Sequence, residues 1–245
     1  MEDLEALLRG AADRFRHVRL TARHRYDRSG QYKMAAKFPA NPAAAFLLRD
    51  PNRAPDQVGE HIWKVWMSRP HRYRVEQYRP PSTLSAVSAA DEVRSWFYFP
   101  DDRSGSIRPR DLYDIRTNER VFAEFTRWLH PEVSELLDPS FLWDVGEGVM
   151  DTPRLEPIGS RNHHGRPAIL VRLTVGDWDT REEFGETLWM ADDYELLVDE
   201  ATGIILRAAS RIEGEEYRVG EIEEIAFDEP IDEALLEPPA IERWL

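Results

Sequence analysis

Two adjacent imidazoles, His163 and His164, and an acidic run of Asp177, Asp179, Glu182 and Glu183 come nearest to metal chemistry in this 245-residue chain. Imidazole nitrogens and carboxylate oxygens both ligate divalent ions, provided that they converge on one point. Neighbours on an extended segment point to opposite sides, so the histidine pair is expected not to grip one ion. Asn162 and Gly165 beside it spell a turn. The acidic run lacks the alternating ligands, central glycine and terminal Glu of a calcium loop, and reads as a solvated turn. Asp192-Asp193 and Asp199-Glu200 stand where short acidic side chains cap strand ends. No G-x-S-x-G elbow, G-x-G-x-x-G fingerprint or phosphate-binding loop occurs, and Ser104 in Ser-Gly-Ser has no helix-forming sequence behind it. The chain has no cysteine, which removes thiol catalysis, disulfides and zinc–thiolate sites. The residues therefore predict no catalytic centre, no metal and no cofactor.

Aromatic side chains carry more information. Trp63, Trp66, Trp96, Phe97, Tyr98 and Phe99 fall on strand-like runs, while Phe122, Phe125, Trp128, Phe141 and Trp143 fall on or beside a helical stretch. They can build one core, or they can line an apolar cavity in a curved sheet plugged by short helices.

The elements that would position them follow from periodicity. Leu4, Leu7, Leu8, Ala11 and Phe15 recur at helical spacing, and Val18, Leu20, Ala22, His24 and Tyr26 then alternate with Arg19, Thr21, Arg23 and Arg25 as a strand. Four prolines make 39–60 a loop, with one helical turn near 43–48. Runs at 61–68 and 72–79 predict a hairpin, and 93–99 predicts a strand covered on both faces. A helical insert is expected over 118–144, punctuated by Pro131 and Pro139. Strands follow at 154–160, 166–175, 185–191, 194–199, 203–212 and 216–227, joined by short turns. One of these turns needs Gly203 in the left-handed region. Sequential strands with short connections give an antiparallel meander.

Charge is unevenly placed. Residues 1–128 carry a net +6 and residues 129–245 a net −20, within a total of −14. The acidic half would repel a phosphate backbone, so nucleic acid is excluded as a general partner. No run of 18 apolar residues offers an integral membrane segment. Only Lys33, Lys37 and Lys64 stand against 29 arginines, the codon bias of a GC-rich genome.

The stretch 191–239, with Leu197-Val198-Asp199 before Thr202-Gly203 and then Phe227-Asp228-Glu229-Pro230-Ile231 before Leu235-Leu236-Glu237-Pro238, resembles the C-terminal β-meander of LolA-like proteins. These form the lipoprotein-localisation-factor superfamily, in the branch common in actinobacteria. The segment 159–173 resembles the family's strand after a turn, and the opening helix with residues 15–27 resembles its first helix and strand. The resemblance implies an α+β fold: a half-open antiparallel β-barrel, or curved meander sheet, with an N-terminal helix and a short helical lid, spanning 1–245 as one domain. It also implies an apolar interior that receives acyl chains. The acidic N-terminus is unlike a signal peptide, so the expected compartment as written is the cytoplasm, or outside it if a leader was removed.

Three readings result. The first is a non-enzymatic protein holding a hydrophobic small molecule or lipid against Trp63, Val65, Met67, Trp96, Tyr98, Trp128, Leu137 and Phe141, a set that a one-residue register change would invert. The second is an interaction module that meets a protein partner through its charge-asymmetric surface. The third is a metal-dependent enzyme built on Asp177, Asp179, His163 or His164.

Overall fold

The computed structural model describes residues 3–39, 44, 48, 58–69, 72–109, 131–143, 154–174, 190–238 and 243–244. Its dominant feature is one sheet with the strand order β12-β6-β5-β4-β3-β2-β1-β11-β10-β9-β8-β7. The strands are β1 (His17–Asp27), β2 (Val58–Ser68), β3 (Arg72–Arg79), β4 (Thr83–Ala90), β5 (Arg94–Phe99), β6 (Ser104–Pro109), β7 (Arg154–His163), β8 (Arg166–Thr174), β9 (Asp193–Asp199), β10 (Ile205–Ile212), β11 (Glu215–Phe227) and β12 (Arg243–Trp244). The sheet is antiparallel apart from the two-residue β12, which pairs parallel to β6, and among the described residues its two ends do not pair with each other. The helices are α1 (Leu4–Arg9), α2 (Arg28–Lys37) and α3 (Pro131–Leu137). Among the described residues, no helix is long and apolar enough to cross a membrane.

The residues cluster into two compact units that interleave along the chain. One comprises 1–12, 24–60 and 131–221, and the other 13–23, 61–130 and 222–245. In the first unit, Asp3 caps α1 by accepting from the Glu5 amide at 3.2 Å, and Leu7 and Leu8 are buried. The helix ends at Gly10 and continues as a 3-10 turn (Ala11–Arg14). Gly203 is required twice over: its φ is +78°, and a Cβ there would stand 2.2 Å from the Leu7 carbonyl oxygen. Helix α2 was not legible as a helix. Its polar sequence RSGQYKMAAK has no apolar stripe, and Asp27 starts it by accepting from the Ser29 amide at 2.9 Å, while Met34 and Ala35 bury its inner side. Helix α3 packs against β10 and buries Val133, Leu136 and Leu137, and a 3-10 turn (Pro139–Leu142) follows. The rest of the expected helical insert lies outside the described residues, as do the acidic run at 176–183 and nearly all of the strand expected at 185–191. So does most of the 39–60 loop, of which Ala44 and Leu48 are helical.

The turn at 162–165 corrects an expectation. His164 and Gly165 both have positive φ, +48° and +85°, which makes the two-residue hairpin turn whose twist matches its strands. That backbone reversal turns the two imidazoles toward each other, with ring centroids 4.4 Å apart, where an extended segment would have separated them. The Glu213-Gly214 turn is built the same way, with φ of +54° and +83°.

In the second unit, β1 and β11 are neighbours and exchange charge. Asp228 accepts from the amides of Arg16 and His17, Arg19 pairs with Glu229, and Arg23 pairs with Glu223. Strands β4 and β6 were not foreseen, because TLSAVSAA holds only Thr83 and Val87, and SGSIRP only Ile107, of the β-branched and aromatic residues that mark a strand.

Candidate functional site

Strand β2 alternates Trp63, Val65 and Met67 with Lys64 and Trp66, and the ladder register decides what each set meets. Trp63 pairs with Gln77, Val65 with Val75 and Met67 with Tyr73. Those β3 residues lie opposite Ala86, Ser88 and Ala90 on β4, and Ser88 and Ala90 lie opposite Phe97 and Ser95 on β5. Directly paired residues share a face, so this face is graded by size. Trp63, Val65, Met67, Tyr73 and Val75 are all at most 4% exposed and form one wall. Phe97 forms the other wall with Phe99, their rings meeting edge to face at 4.5 Å. Between the walls stand the short side chains of Ala86, Ser88, Ala90 and Ser95. Short side chains between tall ones give this face the profile of a trough. Its floor is about 14 Å long over Ala86 to Ala90 and about 10 Å, or two strand spacings, across from β3 to β5. Ser88, Ser95 and Phe97 are half-buried, whereas Ala86 and Ala90 are covered. At one end the lining turns polar: the Gln77 amide nitrogen is 3.5 Å from His61 Nδ1, and the His61 ring lies 6.4 Å from that of Trp63.

The opposite face of the same strands is of another kind. Trp66 pairs with Arg74, Arg74 with Ala89 and Ala89 with Trp96, while Val87 pairs with Tyr98. Trp96 and Tyr98 therefore stand on the reverse of the sheet from Trp63, Val65 and Met67, and one lining formed by all five is corrected. The cause is the register, set by a bulge between Gln77 and Tyr78 that alternation in the sequence does not show. Trp96 instead joins Val87, Ala89, Leu84 and Tyr98 in a small core, and its indole N–H donates to the Leu236 carbonyl at 3.0 Å. Arg74 Nη1 donates to the Leu235 carbonyl at 2.7 Å, its guanidinium sits 5.6 Å from the centre of the Trp96 ring, and Arg72 and Arg94 bind Glu233 and Glu237. The segment 232–237 is thus strapped across this face. Glu76, 9% exposed, accepts from Arg74 at 2.8 Å and from the Tyr78 hydroxyl at 2.6 Å. Burial, with the hydrogen bond to Glu76 and its charge added, pushes Tyr78 up to about 12 against the opposing pull of Arg74. Strand β5 is accordingly covered on its Trp96 face, and Phe99 on the other is 44% exposed, which corrects the expectation of cover on both sides.

The other expected lining residues divide differently. Leu137 is fully buried on α3 in the first unit. Trp128 lies outside the described residues, and of Phe141 only the backbone, in the 3-10 turn, is described. Sequence reading missed Tyr73, Val75, Ala86, Ser88 and Ala90. Tyr73 and Val75 were readable from alternation against Arg72, Arg74 and Glu76; the small floor residues were not, for lack of a strand signal. Among the described residues, one group could hold a metal, His163, His164 and Glu221; Asp177 and Asp179 lie outside them.

No protein-family model matches the chain, and no curated protein does. Solved structures do. An uncharacterized conserved protein from Thermus thermophilus is 12% identical, with 96% of this chain and 93% of that one covered and a TM-score of 0.46. MucB is 16% identical at a TM-score of 0.47; 97% of this chain is covered, and it spans 62% of the MucB chain. A LolA superfamily protein is among them. That protein, NE2245 from Nitrosomonas europaea, is 9% identical, with 97% of this chain and 99% of that one covered and a TM-score of 0.34. The functional reading rests on this chain's own residues.

Proposed function

We propose that this protein is a non-enzymatic carrier or sensor of an amphiphilic molecule, held in the trough of β2–β5. The observation that carries the reading is the size gradient on one face: a floor of Ala86, Ser88, Ala90 and Ser95 between walls of Trp63, Met67, Tyr73 and Phe97. A packed core places large side chains opposite small ones across a layer, whereas a run of short side chains between tall ones leaves a channel that an apolar chain fills. Its dimensions suit one extended hydrocarbon chain. His61 and Gln77 at one end supply hydrogen bonds for a small polar head, as the few placed polar groups of an apolar pocket fix a ligand's orientation.

The protein, purified under native conditions, should release a stoichiometric amphiphile into organic solvent, with a matching mass shift in native mass spectrometry. A ligand-free mass with no extractable lipid, from a protein that also takes up no added fatty acid, contradicts the proposal. The second reading, a charge-driven protein interaction, would instead show as a salt-sensitive protein partner. The internal ion pairs of β1 with β11 and of β3 and β5 with 233–237 use charge that such a surface would need.

A further inference from the structure

The geometry points to a second site, of a different chemistry and built from none of the trough residues: we propose that His163, His164 and Glu221 bind a divalent transition-metal ion of the zinc class. The sheet order β11-β10-β9-β8-β7 puts β8 three strands from β11, about 14 Å in a flat sheet. Yet Glu221 Oε1 lies 3.6 Å from His163 Nε2 and 3.4 Å from His164 Nε2, and the three ligand atoms fall within 4.8 Å of one another. The strands of this unit must therefore curl until the tip of the β7–β8 hairpin returns over β11. The left-handed His164 then aims both rings at one carboxylate.

These distances match what a metal asks for. Ligands at about 2.0–2.1 Å around a tetrahedral ion are separated by about 3.4 Å. Two imidazoles and one carboxylate favour zinc and its first-row neighbours over calcium or magnesium, which prefer all-oxygen shells. Three protein ligands leave one position for water or another donor. The cations nearest in register are directed elsewhere. Arg207, the cross-strand partner of Glu221, donates to Glu216 at 2.6 Å, and Arg166, the partner of His163, donates to Asp199 at 2.6 Å. His163 is 9% exposed and His164 open to solvent, so the site combines a held ligand with a route of entry.

The test uses untagged full-length protein dialysed against chelator, titrated with Zn²⁺ by calorimetry and with Co²⁺ by visible absorption. One ion per chain and a Co²⁺ d–d band are expected. Glu221→Gln keeps the side-chain shape, and His164→Asn keeps a residue that accepts positive φ. Each should weaken Zn²⁺ binding by at least about tenfold, since even changes behind the ligands cost that much, while leaving metal-free unfolding unchanged. Zn²⁺ should raise the wild-type melting temperature and not that of the variants. Absence of stoichiometric binding, or equal affinity in wild type and both variants, overturns the site.

Discussion

The two faces of β2–β5 are made from the same strands and do opposite things. On one, Trp96, Arg74, Glu76 and Tyr78 are tied to each other and to the 232–237 segment by directional hydrogen bonds. On the other, Trp63, Val65, Met67, Tyr73 and Val75 are equally buried, and their neighbours on β4 are short. Burial alone does not separate a locked face from a binding face. The size and polarity of what lies opposite does.

Breaking the locked face should cost most. Arg74→Met removes the guanidinium that donates to the buried Glu76 and leaves only its cross-strand neighbour Lys64, and the loss of one partner of a buried pair costs about 3–5 kcal/mol. Urea unfolding should register that loss, and Arg74→Met combined with Glu76→Met should recover most of it. A single-variant cost below about 1 kcal/mol, the range of an exposed pair, would show that the strap does not depend on this one. Met67→Ala on the trough side should cost about 2–4 kcal/mol, less if the trough can close around the gap. Trp96→Phe keeps most of the apolar surface and removes the N–H to Leu236, so about 1–2 kcal/mol is expected, with faster proteolysis of the C-terminal segment. The smallest effect is on pH dependence. The folded Tyr78 holds its proton to about 12 against about 10 when unfolded, so its contribution is complete below pH 10 and fades as pH rises through 12. Alkaline unfolding curves of wild type and Tyr78→Phe should converge over that interval; parallel curves would remove Tyr78 from the network.

Much of this fold is written in local pattern. Alternation in β1, β2 and β3, the strand-like runs of β8 to β11 and the glycines at 165 and 203 place strands and turns correctly, because strand patterning and positive φ are local demands. Helix α2 escaped notice since its stability comes from the Asp27 cap and the burial of Met34 and Ala35, not from an apolar stripe. The site was half legible. Trp63, Val65 and Met67 share a face by simple alternation, but whether Trp96 joins them depends on two intervening strands and one bulge. The convergence of His163 and His164 on Glu221 was likewise hidden, since a hairpin turn and the curl of several strands bring together residues 58 and 57 positions apart.

The most direct test of the trough is a titration of a fluorescent fatty acid into wild type and Ser88→Phe. Ser88 is half-buried on the floor, so the ring fills the channel. Wild type should bind one probe per chain, displaceable by unlabelled fatty acid, and Ser88→Phe should bind none at unchanged urea midpoint. Equal binding by the two proteins, or none by the wild type, would contradict the assignment of this face.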